Sequence, residues 1–151
     1  SIVKKKKLNY LTIGKISNLE IKKHTYLKDT QIISLTFNKK YYTFRTNLIG
    51  KIQLKNLLMA VLAASKTLKF NNIVNILSKI KPINGRLEQL SKLKDNSRII
   101  LDYAHTPDAL KTCIKDIKEQ FQFSKISIVF LPTFPEAPII AKFIMIYFIS
   151  I

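Results

Sequence analysis

The stretch Arg98–Leu110, "RIILDYAHTPDAL", decides the fold class. "RIILD" is β-branched and apolar, as a buried strand should be, and Asp102, Tyr103 and His105 crowd its end. The next three residues read as a helix start. Thr106 can cap through its hydroxyl, Pro107 suits the first helical position because its missing N–H costs nothing there, and Asp108 favours the helix dipole. In "ALKTCIKDIKEQF", Leu110, Cys113, Ile114, Ile117 and Phe121 fall on one helical face, and "KISIVFL" reads as a second strand. Strand, helix and strand make a βαβ unit, which predicts parallel pairing of the two strands and a right-handed crossover. Ligands of open α/β sheets bind at the carboxyl edge, where this loop lies. Helix initiation accounts for Thr106 to Asp108 but not for Asp102 and His105. Asp102 can accept from paired hydroxyls such as a ribose, and His105 can donate to a phosphate or orient a carboxylate. For these two, structural and ligand-binding roles both stay open.

Upstream, "KIKPINGRLEQL" carries Pro82 and the Asn84-Gly85 pair, which break a helix and mark a linker. Before it, "LTIGKISNLEI", "QIISLTFN" and "KYYTFRTN" predict a short, mostly antiparallel sheet, with "FNKKYYTF" as a hairpin. "GKIQLKNLLMAVLAASKTL" then predicts a helix, since Leu54, Leu58, Val61 and Leu68 recur near the 3.6-residue period, widened by Leu57 and Leu62. A shorter helix is expected over Ile73 to Ile80.

The 151 residues can bury one ordinary core or two smaller lobes sharing a hinge. The lone Cys113 excludes an intramolecular disulfide and a cysteine metal cluster, fits a reducing compartment, and reads as a core thiol on a helix. No signal peptide is evident at "SIVKKKKLNYLTIG". The membrane-like run "IIAKFIMIYFISI", residues 139 to 151, is shorter than the roughly 20 residues a spanning helix needs and carries Lys142, which disfavours a membrane role. A net charge of +17 invites a nucleic-acid reading. Its distribution argues against one. Residues 1 to 80 hold 16 Lys/Arg against two acids and residues 81 to 151 hold ten against seven, scattered singly apart from Lys4 to Lys7 and without interleaved aromatics.

"INGRLEQL" followed closely by "ILDYAHTPDAL" resembles the Mur ligases of peptidoglycan synthesis, specifically the MurE type that extends UDP-N-acetylmuramoyl-dipeptide with a diamino acid. "LIGKIQLKNLLMAVLAA" is similar to the family's Gly-Phe-Asn-x-x-Asn-x-x-x-Ala segment, with Gly50, Asn56 and Ala60 in register and Ile52 and Gln53 in place of Phe and Asn. The resemblance implies an α/β chain in three parts. Residues 1–81 would be the later part of the central ATPase domain. Residues 82–131 would be the first βαβ unit of a Rossmann-like C-terminal domain, and 132–151 a divergent apolar tail, with a shifted reading frame as one explanation. Family enzymes use ATP and Mg²⁺ in the cytoplasm to phosphorylate the muramoyl-peptide carboxylate, which the amino acid's amine then attacks. By resemblance Asn56 lies beside the adenine, Arg86 reaches the phosphates, Asp102 contacts the ribose, and His105 belongs to the same nucleotide-facing loop.

The sequence also departs from that pattern. Its three glycines, Gly14, Gly50 and Gly85, are too far apart for a G-x-x-x-x-G-K-[ST] loop, which would cradle the ATP phosphates. The acids and the carbamylated lysine that serve Mg²⁺ in the family, the UDP-binding domain and the Gly-rich stretch after "KISIVF" have no counterpart. The expectation is therefore a piece of a MurE-type ligase, either a degraded gene product or one part of a split enzyme with a complementary fragment, that is inactive alone, contributes no catalytic or metal-binding residue of its own and is poorly soluble, while ATP and UDP-muramoyl peptide are partners of the complete enzyme. The competing expectation is a non-enzymatic basic module for nucleic acid or an anionic surface, whose binding would weaken steeply with salt. A peripheral membrane protein anchored by residues 139 to 151 is the third.

Overall fold

The computed structural model describes residues 11–14, 17–27, 29–104, 106–122, 124–132 and 143–150. Three strands, β1 (Leu19–Leu27), β2 (Thr30–Phe37) and β3 (Lys40–Thr46), form an antiparallel sheet in sequence order. The expected hairpin is present. Asn38 and Lys39 both take positive φ, 48° and 65°, the geometry of a two-residue turn whose twist matches its strands, and Phe37 pairs Lys40. Alternation on β2 and β3 turns Ile33, Leu35 and Phe44 inward.

Helix α1 (Lys51–Ala64) and helix α2 (Phe70–Ile76), with a 3-10 turn at Leu77–Lys79, cover that face. Leu54, Leu57, Leu58, Val61 and Leu62 are buried, as the periodicity predicts, and Phe70 stacks on Phe37 with ring centroids 4.2 Å apart. The first helix is shorter than expected: it stops at Ala64, and Leu68 lies exposed beyond it. The second starts earlier, at Phe70, and tightens to 3-10 geometry over its last turn.

The second lobe is a four-stranded sheet in the order β4-β5-β7-β6, built from β4 (Glu88–Lys92), β5 (Arg98–Asp102), β6 (Lys125–Pro132) and β7 (Phe143–Ser150), with helix α3 (Pro107–Gln120) between β5 and β6 in the chain. Two expectations change here. The linker stretch turns into strand β4 at Glu88 and pairs antiparallel with β5. The strands of the βαβ unit do not touch, because β7 lies between them and pairs antiparallel with each. They still run the same way, so the strand-helix-strand reading stands and the direct parallel pairing does not. The membrane-like run contributes β7, an interior strand, and among the described residues no helix is long and apolar enough to cross a membrane.

The two lobes share a joint. Buried Gln31 on β2 donates to the Leu48 and Gly50 carbonyls (2.6 and 3.1 Å), which fixes the segment leading into α1. Ile49 of that segment packs into the second core with Leu87, Ile100, Ile117 and Ile149.

Candidate functional site

Asp102 ends β5 and is almost fully buried, at 3% exposure. Its Oδ1 accepts from the Leu87 N–H (3.0 Å), and its Oδ2 from the Ala104 N–H (3.1 Å) and the Cys113 thiol (3.0 Å). A carboxylate has about four acceptor positions, so three donors leave it roughly one more. Asp102 thus ties together the Gly85–Leu87 turn, the loop after β5 and the first half of α3. Burial pushes the Cys113 thiol well up, and its bond to Asp102 adds to this, so the sulfur stays a protonated donor.

The turn before β4 lies against the same loop. The Tyr103 N–H donates to the Gly85 carbonyl (3.0 Å), and the Gly85 N–H to a Glu88 carboxylate oxygen (2.7 Å). Gly85 has φ +69°, and a Cβ there would stand 2.0 Å from the Tyr103 ring, so only glycine fits under that ring. Arg86 is held by its backbone: the buried Gln53 side chain on α1 donates to its carbonyl at 2.7 Å. Its guanidinium is exposed, and among the described residues no acid forms an ion pair with it. A fixed backbone carrying an exposed, permanently charged fork is suited to a phosphate or carboxylate.

Helix α3 begins as its sequence predicts. Thr106 Oγ1 accepts from the Ala109 N–H at 3.2 Å, Pro107 opens the helix, and Asp108 lies in its first turn. Asn56 is exposed on α1, three residues beyond Gln53. Arg86 and Asp102 therefore belong to one loop cluster, and Asn56 lies on the helix that supports it. His105 lies outside the described residues. Among the described residues, no three His, Cys, Asp or Glu side chains gather as a metal site.

Sequence reasoning passed over the residues that assemble this cluster. Gln53 stood out only as a departure from a pattern, yet it joins α1 to the Arg86 turn. Asp116 went unnoticed. Its Oδ2 accepts from the Ile52 N–H at 2.9 Å and so caps α1, which has no side-chain cap of its own, from a different helix. Gly50 precedes α1 with φ +83°, and a Cβ there would stand 2.8 Å from Asp116 Oδ2 and 2.9 Å from Leu87. A usable signal did exist. Asp116 and Gln120 are polar side chains beside the core-facing Cys113, Ile117 and Phe121, and both are buried.

Comparison with known proteins agrees with this architecture. Residues 85–133 match the family described as "Mur ligase, glutamate ligase domain". A UDP-N-acetylmuramoyl-L-alanyl-D-glutamate--2,6-diaminopimelate ligase of Rickettsia montanensis is 38% identical over 125 residues, covering 82% of this chain and 25% of the relative. The chain spans about a quarter of the length of the curated relatives it matches. Among solved structures, the UDP-N-acetylmuramate-alanine ligase MurC of Thermotoga maritima overlays with a TM-score of 0.68 at 21% identity, over 79% of this chain and 29% of that one. A UDP-N-acetylmuramoyl-L-alanyl-D-glutamate--2,6-diaminopimelate ligase gives 0.63 at 22%, over 78% and 24%. The overlays speak for the fold and the sequence match for descent, and together they assign the chain to the Mur ligase family, aligned with a quarter of the diaminopimelate-adding type.

Proposed function

We propose that the chain supplies nucleotide-facing loops of an ATP-dependent ligase that joins a diamino acid to a UDP-N-acetylmuramoyl dipeptide in peptidoglycan synthesis. The observation that carries this reading is the bond from the Leu87 N–H to Asp102, which draws "NGRLE" and "LDYA" into one cluster beside an exposed Arg86. In this reading Arg86 binds ATP phosphates, the exposed Asn56 amide meets the adenine edge, and His105 faces the same nucleotide. Asp102 positions the loop and can offer its remaining acceptor place to a ribose hydroxyl. These side chains bind and orient; none of them is a nucleophile or a base for the ligation.

ATP would supply the phosphoryl group that activates the substrate carboxylate. With no phosphate-cradling glycine loop in its 151 residues, the chain by itself is inactive, since phosphoryl transfer depends mostly on positioning and charge stabilisation. Titrating the purified chain with ATP, followed by backbone amide shifts, tests the binding half. Saturable shifts are expected at Arg86, Leu87 and Tyr103, weakened at least tenfold in Arg86→Ala and less in Arg86→Lys. Equal binding by Arg86→Ala and Asn56→Ala would remove the nucleotide-facing assignment, and ATP-dependent ligation by the chain alone would remove the inactivity.

A further inference from the structure

The peptide between Arg86 and Leu87 is held from both sides. Its carbonyl, on Arg86, accepts from Gln53 Nε2 at 2.7 Å, and its N–H, on Leu87, donates to Asp102 Oδ1 at 3.0 Å. Gln53 comes from α1 in the first lobe and Asp102 from β5 in the second, and both are buried, at 8% and 3% exposure. Two directional bonds of opposite sense on one peptide fix its rotation, which neither does alone.

The orientation they fix is one that a leucine resists. Leu87 has φ +46°, in the left-handed region where a Cβ crowds the carbonyl that follows, and its branched side chain is 1% exposed. Turning the peptide over would carry Leu87 toward negative φ, but it would aim the carbonyl at the Asp102 carboxylate and take it from the Gln53 amide. A strained conformation of this kind persists only where its surroundings over-determine it. Here it lies directly beside Arg86, whose guanidinium is exposed.

Helix α1 carries the same constraint further. Gln53 holds the Arg86 carbonyl from the first turn, and Asn56, three residues on, falls on the same side of the helix. The start of α1 is itself anchored on α3, through the Gly50 N–H to Gln120 Oε1 and the Ile52 N–H to Asp116 Oδ2, both at 2.9 Å. One rigid element thus ties Asn56 to Arg86. A buried side chain needed only for packing at position 53 could be apolar; the amide is used on the Arg86 carbonyl. We propose that Gln53 is a positioning residue for nucleotide binding: by holding the Arg86–Leu87 peptide against α1, it keeps the phosphate-binding Arg86 in register with the adenine-binding Asn56, so that one nucleoside triphosphate meets both. This role rests on the nucleotide-facing reading given above.

Titrating the full chain with ATP and with adenosine, followed by amide shifts, tests it. Gln53→Met keeps the size of the side chain and removes its donor. It should lower the ratio of ATP to adenosine affinity by about tenfold, with the Leu87 amide displaced and exchanging faster. A residue that only stabilised the fold would lower the melting temperature and weaken both ligands alike, leaving the ratio at its wild-type value. In the wild type, the Gln53 side-chain NH₂ resonances should follow ATP with the midpoint of the Arg86 amide and stay in place with adenosine, which decides the matter even where Gln53→Met fails to fold. Absence of ATP binding by the wild type, or equal ATP binding by Arg86→Ala, would overturn the nucleotide-facing reading and this role with it. With ATP bound through Arg86, a wild-type ratio in Gln53→Met, or Gln53 resonances indifferent to ATP, would overturn the role of Gln53 alone.

Discussion

Asp102 collects three donors from three different segments, so a change at one oxygen should loosen all of them. Asp102→Asn keeps the shape but turns an acceptor into an NH₂ that opposes the Leu87 N–H or the Ala104 N–H. A loss of about 1–3 kcal/mol is expected, read from the urea midpoint. Cys113 reports on the same contact. Its thiol is buried and its pKa raised, so in the folded chain at pH 8 it should react with a disulfide reagent only as fast as the lobe opens. Asp102→Asn should raise that rate, and a wild-type rate equal to that of a free thiol would contradict the buried assignment.

At the scale of elements, α1 begins on a residue supplied by α3. Asp116→Ala removes the cap at Ile52 and should cost about 0.5–2 kcal/mol. Gly50→Ala should cost more, because the residue is at φ +83° and the added Cβ meets Asp116 Oδ2. Since both changes act on one junction, the double variant should lose less than the sum of the two, which a double-mutant cycle on denaturant midpoints measures. This junction also marks where the sequence was readable and where it was not. Local sequence located α1 by periodicity, the hairpin within "FNKKYYTF", strand β5 by its apolar run and the Thr106 cap by its hydroxyl, because each depends on neighbours within a few residues. The cap on α1, the brace from Gln53 and the insertion of β7 depend on partners 33 to 64 residues away or in another sheet position, and no local pattern encodes them. For the site, the motif pair was legible and so was the start of α3. That three protein donors occupy most of Asp102 was not, because hydrogen-bond occupancy is decided by the tertiary fold.

Across the whole molecule, Asp29 after β1 reaches Lys92 on β4 and Arg98 on β5, and so links the lobes at the edge away from Asp102. Burial would raise its pKa, but the bonds and charges of Lys92 and Arg98 outweigh burial and lower it. A depressed carboxylate adds stability above its unfolded value, about 3.9, and loses it as pH falls through the lower folded value. Asp29→Asn should therefore be less stable than wild type at neutral pH, with the gap closing below about pH 4. A gap that persisted at pH 2 would assign the effect to packing.

The placement of β7 has a consequence for synthesis. It pairs with β5, which ends at Asp102, and with β6, yet it starts only at Phe143. A ribosome adding roughly 5–20 residues per second delivers the first lobe's three strands and two helices in time to fold in order. The second lobe has to wait, with β6 unpaired and one edge of β5 open, until its interior strand has been made. Nascent chains stalled before Phe143 should thus be the species that chaperones and proteases meet.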